Sequence, residues 1–423
     1  MHQVIAYGTA FVTIGLVLSL PRTRVGPSLG PAAAGAFGVI VLLAVGVVSP
    51  GDLGGGLAVL WRPFVTVLAL MVTTSVAERL GVLDYFTTLI RPSPGQAVAR
   101  TFRNVFMLGV ATSAVLNNDA AVLLLTPLVV DLVCRSYPDR PDLAVPFAFA
   151  VFAAAGVAPL VTANPMNLVV ADVAGIGFNA YAARMIPIAV AGWLAAYLML
   201  RLIFRRQLRS AAAGAARRET GSLSPAGKQF LVLMLVALGS YPVLSYAGSP
   251  VWVVAAATAA LGIALCHHHR AASPRALVAA VSWETLVFLF CVFVIAIGLR
   301  NVGLVDRVAD LYAAPAGAAA KAILIGVSSA VGSAVLNNHP MSIINALAIA
   351  TLPEPRQDLI LAALIGGDLG PRLLPMGSLA ALLWLASLRR QGVHIGTATF
   401  VRVGVVVTLP ALAVSLLLLI ALG

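Results

Sequence analysis

The sequence predicts an all-α polytopic membrane protein of two inverted repeats of five transmembrane helices, each repeat with one re-entrant helical hairpin and one broken helix. Three observations predict it: apolar runs too extensive for a soluble core, an internal duplication, and the placement of arginine among the loops. Of 423 residues, 61% are hydrophobic and 10% charged, more apolar surface than one soluble core buries. Ten spans of about 20 residues use roughly 200 residues. The apolar runs exceed that, which leaves room for re-entrant segments but none for an extramembrane domain. A soluble enzyme is excluded. The net charge of +12 would suggest nucleic acid in a soluble protein. Here the basic residues sit in short loops between apolar runs, which is positive-inside topology, with a lipid bilayer and no nucleic acid as partner.

Apolar runs mark spans near 4–20, 32–49, 63–79, 145–173, 185–204, 229–247, 251–266, 283–299, 358–387 and 401–422. The first lacks a basic stretch ahead of it and reads as a mature span rather than a cleaved signal. Runs 105–133 and 320–350 are each interrupted at the centre by a polar cluster, so each is either one long span or a hairpin. Cys134, Cys266 and Cys291 are far apart and show no CxxC or Cys/His spacing. Neither a disulfide framework nor a metal site is expected, and no cofactor.

The stretch WRPFVTVLALMVTTSVAERLGVLDY from Trp61 resembles WETLVFLFCVFVIAIGLRNVGLVDR from Trp283, with Gly81 matching Gly303 and Asp84 matching Asp306. The hexapeptide SAVLNN recurs at 113–118 and 333–338, each time inside an interrupted run. The chain is therefore read as a duplication. The linker 201–228 holds Arg201, Arg205, Arg206, Arg209, Arg217, Arg218 and Lys228 against Glu219 alone, which predicts that it is cytoplasmic. If both interrupted runs are hairpins, the loops with Arg22 and Arg24, with Arg91, Arg100 and Arg103, with Arg135 and Arg140, with Arg270 and Arg275, and with Arg389 and Arg390 all fall on that same side. Both termini then lie outside. Five spans per half make the halves inverted: 1–206 is the first repeat, 207–228 a basic cytoplasmic linker and 229–423 the second repeat. Arms of about 12 helical residues reach roughly the membrane midplane, where two tips entering from opposite faces meet.

Bare backbone at membrane depth is tolerated only where protein or a wet cavity satisfies it, so four helix breaks at similar depth should surround one site. The first is Asn117-Asn118-Asp119, with Asp119 the expected N-cap of the following helix. The second is Asn337-Asn338-His339-Pro340, with His339 at the equivalent cap position. The third lies at Thr162-Ala163-Asn164-Pro165-Met166-Asn167 in the run 145–173. The fourth runs from Gly366 through Asp368 and Arg372 to Gly377 and Ser378 in the run 358–387. Free N–H groups at such helix starts, together with asparagine amides, suit a small hydroxylated solute. Intramembrane ionisable groups are costly and mark function, which singles out Asp119, His339, Asp368 and Arg372. Asp119 also reads as a plain helix cap, and Asp368 with Arg372, four residues apart, as a structural ion pair. Asp131 and Asp172 fall at span ends and read as solvated. The His267-His268-His269 run reads as a basic loop rather than a metal site.

With these residues in view, the sequence resembles the bacterial arsenite and antimonite efflux permeases of the ArsB family, in the superfamily that includes dicarboxylate carriers. LNNDAAVLLLTPLVV from Leu116, SAVLNNHP from Ser333 and GGDLGPRLLPMGSLAALLWL from Gly366 carry the resemblance, which spans nearly the whole chain. The family commonly has a glycine where Ala120 stands and an apolar residue where His339 stands; these departures bear on coupling. The resemblance implies ten spans plus two hairpins, a scaffold part and a mobile transport part, a homodimer in the bacterial inner membrane, and export of arsenite or antimonite driven by proton influx. The basic linker leaves room for a soluble ATPase partner at the cytoplasmic face. Solute binding falls to Asn117, Asn118, Asn164, Asn167, Asn337, Asn338, Gly377 and Ser378, and proton coupling to Asp119, His339, Asp368 and Arg372. Arsenite is an uncharged trihydroxide at neutral pH, so amides and hydroxyls can hold it without a thiolate, whereas an anion would meet the like charge of Asp119 unless Arg372 faced it, which disfavours a dicarboxylate. The alternative is a sodium/proton antiporter or dicarboxylate carrier of the same superfamily. No HExxH or GxSxG motif is present, and an enzyme is not expected.

Overall fold

The computed structural model describes residues 2–19, 30–209, 222–353 and 357–423, and every regular element among them is a helix. The first half runs α1 (His2–Ser19), α2 (Pro31–Ala44), α3 (Pro50–Arg79), α4 (Val82–Leu89), α5 (Val98–Val115), α6 (Asn118–Ser136), α7 (Ala144–Ala154), α8 (Pro165–Val173) and α9 (Phe178–Ile203), followed by short α10 (Arg205–Arg209). The second runs α11 (Pro225–Tyr246), α12 (Val251–His268), short α13 (Pro274–Ala279), α14 (Trp283–Asn301), α15 (Leu304–Ala313), α16 (Ala318–Leu336), α17 (Asn338–Ala350), α18 (Gln357–Leu369), α19 (Leu379–Arg390) and α20 (Thr397–Leu422). Seven of them, α3, α9, α11, α12, α14, α16 and α20, are long and apolar enough to cross a membrane. The protein is a multi-pass, all-helical membrane protein. Arg22, Arg24, Arg217, Arg218 and Glu219, which entered the charge count, lie outside the described residues.

The matching stretches around Trp61 and Trp283 become matching structure. α3 and α14 each end at a glycine in the left-handed region, Gly81 at φ +65° and Gly303 at φ +81°, a conformation that side chains with a Cβ resist. The chain turns there into the short helices α4 and α15, each with an acid in its first turn, Asp84 and Asp306, where the helix dipole favours it. Each half then passes through two helices joined at a polar tip, a broken pair and a 26-residue helix.

Two expectations about length are corrected. α3 starts at Pro50 rather than near residue 63, because Ser49 and Asp52 form a reciprocal capping box, with Ser49 N donating to Asp52 Oδ2 at 2.8 Å and Asp52 N to Ser49 Oγ at 3.2 Å. Gly54, Gly55 and Gly56 dilute the hydropathy of that first stretch and hid it from a reading of apolar runs. The arms at the tips are also longer than about 12 residues: 18 for α5, 19 for α6, 19 for α16 and 13 for α17. The surplus is polar at the outer ends, with Arg100 and Arg103 in α5, Asp131 and Arg135 in α6, and Lys321 in α16.

Packing ties the halves together. α2 lies on α14, α3 on α12, and α9 on α20, while α5 packs on α7 and α16 on α18 within each half. The half-helices pair across the halves, α6 with α19 and α8 with α17. The α16–α18 crossing is glycine-tight: a Cβ at Gly366 would overlap the carbonyl of Gly326, and one at Gly370 the carbonyl of Ala330. Close backbone approach of this kind is how helices associate where lipid removes the hydrophobic drive. Gly370→Ala is expected to cost about 2–3 kcal/mol as an overpacked contact with no side chain able to yield. The check is the thermal midpoint of the purified protein in detergent, which should fall well below that of Gly239→Ala, a position with nothing within 4 Å of the added methyl.

Candidate functional site

Four half-helices start in one polar centre, and each starts on a side-chain cap. Asn117 Oδ1 accepts from Ala120 N at 2.7 Å, Asn164 Oδ1 from Met166 N at 2.9 Å, Asn337 Oδ1 from His339 N at 3.2 Å, and Ser378 Oγ from Ala381 N at 3.0 Å. The caps expected at the tips were Asp119 and His339; the structure sets them two residues earlier, on Asn117 and Asn337. Asp119 and His339 fall inside the first helical turn, where their side chains are not consumed in capping by a backbone N–H. Among the described residues no hydrogen-bond donor reaches the Asp119 carboxylate. His339 Nδ1 lies 3.0 Å from Asn337 Oδ1. Since that oxygen only accepts, Nδ1 carries the proton of the bond.

The break in the first half is wider than the sequence suggested. α7 stops at Ala154, and the chain crosses to Asn164 without an α-helix, through the 3-10 turn Val161–Ala163. Its bare backbone is satisfied largely by side chains from elsewhere. Asp368 accepts from Ala158 N at 2.9 Å, from Asn164 Nδ2 at 2.7 Å and from Asn167 Nδ2 at 2.9 Å. Arg372 Nη2 donates to the carbonyl of Ala155, and Asn118 Nδ2 to that of Gly156 at 3.1 Å. Tyr181 OH, on α9, donates to the carbonyl of Ala158 at 3.0 Å and accepts from Asn167 Nδ2 at 2.8 Å. Buried backbone without such partners costs too much to persist. Among the described residues no Asp368–Arg372 ion pair forms, because α18 ends at Leu369 and the 3-10 turn Gly370–Arg372 breaks the four-residue register.

A cavity of about 250 Å³ opens among the caps. Asn117, Asp119, Thr162, Asn164, Asn338, His339 and Ser378 line its inner end. It runs outward beside Leu123 and Leu124 of α6 and Leu383 of α19 to Glu78, Ser282 and Thr285 at the ends of α3 and α14, of which Glu78 and Ser282 are exposed. Its ionisable lining groups are Glu78, Asp119 and His339, with neither lysine nor arginine. A smaller space of about 40 Å³ lies behind, lined among others by Asn118, Asp119, Asn338, Asp368 and Arg372. Asp119, Asn164, Asn338 and Ser378 face both.

Of the predicted residues, Asn167, Asn337 and Gly377 line neither space. Asn167 serves Asp368 and Tyr181, Asn337 caps α17, and Gly377 is where a Cβ would press on the backbone of Pro371. Tyr181, Glu78 and Thr285 carried no sequence signal, since each is a single polar group in an apolar or interfacial stretch. Asp131 forms an exposed pair with Arg135 at 2.8 Å, and Asp172 is exposed. His269 meets Gln229 at 2.8 Å. No cluster of three metal-ligating side chains occurs among the described residues. Cys134 is exposed, Cys266 and Cys291 are buried, and none lines the cavity.

The model of the family described as arsenical pump membrane protein, ArsB, matches residues 6–422. The chain belongs to that family. Arsenical pump membrane proteins from Escherichia coli and Yersinia enterocolitica are 30% and 29% identical to it, each over 97% of this chain and 96% of the relative. The solved structure of the Alcanivorax borkumensis YdaH transporter, described as having an unusual topology, superposes with a TM-score of 0.59 at 18% identity over 100% of this chain and 98% of that one. That likeness bears on the fold of this ArsB-family chain alone. The family is one of membrane transporters in bacteria, and arsenicals are the class of solute its name assigns.

Proposed function

We propose that this chain exports arsenite and antimonite, as neutral trihydroxides, from the cytoplasm across the inner membrane in exchange for protons. The observation that carries the reading is the 250 Å³ cavity, which gathers four helix starts, amide and hydroxyl groups and the unpartnered Asp119 carboxylate without a lysine, an arginine or a cysteine. A neutral polyhydroxyl solute meets donors and acceptors there. An oxyanion or dicarboxylate meets Glu78 and Asp119 with no cation in the same space. The positive helix ends and the acid balance one another, as a neutral solute requires.

In this reading residues 1–206 and 229–423 are inverted repeats joined by the linker 207–228, and the two tips enter from opposite faces. The cavity follows α6 and α19, which end at Arg135 and at Arg389 and Arg390. By the positive-inside rule that is the cytoplasmic side, so this conformation is the inward-facing one, and both termini lie outside. Asp119 carries the exchanged proton, because it faces the solute space with no donor to hold it in one state. His339 shares the cavity as its hydrogen-bonding neighbour in the cycle. Asp368 and Arg372 hold the first-half break rather than carry protons.

Everted membrane vesicles containing the protein should accumulate arsenite when an interior-acid pH gradient is imposed, and should accumulate neither arsenate nor a dicarboxylate. Uptake of arsenate, or arsenite uptake indifferent to the pH gradient, would refute the reading. A sodium/proton antiporter would instead acidify or alkalinise the vesicles on sodium addition without arsenite.

A further inference from the structure

The two tips share the hexapeptide SAVLNN, yet their polar groups stand in different situations. In the first, Ser113 Oγ donates to Asn118 Oδ1, and Asn118 Nδ2 donates to the carbonyl of Gly156 at 3.1 Å. Both ends of that carboxamide are engaged. In the second, the same two positions, Ser333 Oγ and Asn338 Oδ1, have no partner, and neither does Asn337 Nδ2. Asn338 is 9% exposed and faces both spaces of the site.

The backbones differ as well. Asn117 is extended at φ −176°, but Asn337 sits at φ +80° and ψ 147°, a region nearly closed to residues with a Cβ and one that marks sites where strain has a use. The cause lies in the neighbouring breaks. α7 stops at Ala154 and leaves the carbonyl of Gly156 in need of a donor, which Asn118 supplies. α18 stays helical to Leu369 and passes straight into a 3-10 turn, so it offers Asn338 no equivalent carbonyl. A buried acceptor and a buried hydroxyl left without partners call for an absent one.

Resting on the metalloid reading of the cavity, we propose that the second tip alone grips the solute, through Asn338 with Ser333 as its positioning residue, while the first tip is a fixed strut. A hydroxyl of the solute donates to Asn338 Oδ1. Ser333 then steadies the carboxamide as Ser113 steadies Asn118. The duplication thus supplies one copy for architecture and one for recognition.

The test uses the purified full-length protein in potassium salts throughout, with arsenite binding followed by titration calorimetry and solute-free stability by thermal unfolding. Asn338→Ala should weaken arsenite binding by about ten-fold, the loss of one buried hydrogen bond, with the solute-free midpoint unchanged. Asn118→Ala should lower the solute-free midpoint by several degrees and change the affinity by less than about three-fold. The serines separate the same way and are milder, should Asn118→Ala fail to fold: Ser113→Ala lowers the midpoint, whereas Ser333→Ala leaves it or raises it and weakens binding. Equal affinity losses at both tips would overturn the division while leaving the metalloid site standing. So would Asn338-dependent stabilisation by sodium without arsenite, which would make the second tip an ion site. Absence of any arsenite binding to the unaltered protein would overturn the metalloid reading and the division together.

Discussion

Asp119→Asn is expected to reduce pH-gradient-driven arsenite export to the level of empty vesicles while the protein remains folded. The substitution keeps size and shape and removes the one carboxylate that lines both spaces of the site with no hydrogen-bond donor upon it. An ionisable group in that position is costly, and in the proposed reading it carries the exchanged proton. An amide cannot bind and release a proton, so the coupling step is lost, and any residual arsenite exchange should no longer respond to the pH gradient. Asp119→Glu, which keeps the titratable group on a longer arm, should retain a measurable fraction. Stability should change little in Asp119→Asn, since no hydrogen bond is broken. Full gradient-driven export by that variant would remove Asp119 from the mechanism.

Asp368→Ala is expected to behave oppositely, failing first in the fold. Its carboxylate receives three donors, from Ala158 N, Asn164 Nδ2 and Asn167 Nδ2, and all of them are buried. Removing the acceptor leaves Ala158 N and Asn164 Nδ2 without a partner and Asn167 Nδ2 with Tyr181 OH alone, and at about 1–3 kcal/mol for each orphaned donor the loss is roughly 2–6 kcal/mol. The readout is the thermal midpoint and the monodispersity of the protein in detergent. Asp368→Asn should be intermediate, because its oxygen still accepts while its NH2 group opposes a donor. A normal midpoint for Asp368→Ala would show that the α7–α8 break is held by other groups.

The contrast between these two acids also measures how much the sequence reveals. Both stood out as ionisable residues in apolar runs, Asp119 also as a helix cap and Asp368, four residues from Arg372, as an ion pair, and neither reading separated the two environments. Their surroundings diverge because Asp119 follows a capping asparagine that takes over the backbone work, whereas Asp368 faces a break that belongs to the other half. Patterns local in sequence were legible: the paired glycine turns after α3 and α14, the two polar tips, the broken spans and the fourfold set of helix starts. Contacts over long sequence separation were not. Tyr181 is a lone phenol in an apolar helix, and its bonds to Ala158 and Asn167 exist only once α9 packs beside the break. The early start of α3 was hidden for a different reason, since its capping box precedes three glycines that look unlike a span.

The dependence of the α7–α8 break on Asp368 and Arg372 has a consequence for biogenesis. While the ribosome is still extending the chain, the break enters the bilayer region with two groups, the Ala158 N–H and the Ala155 carbonyl, whose partners Asp368 and Arg372 lie some two hundred positions downstream. Those two groups find their partners only once residues 368–372 have been made, so the final packing of the break follows their synthesis. Synthesis order and assembly order differ, and a transcript truncated before Asp368 yields a product that the quality-control proteases should remove.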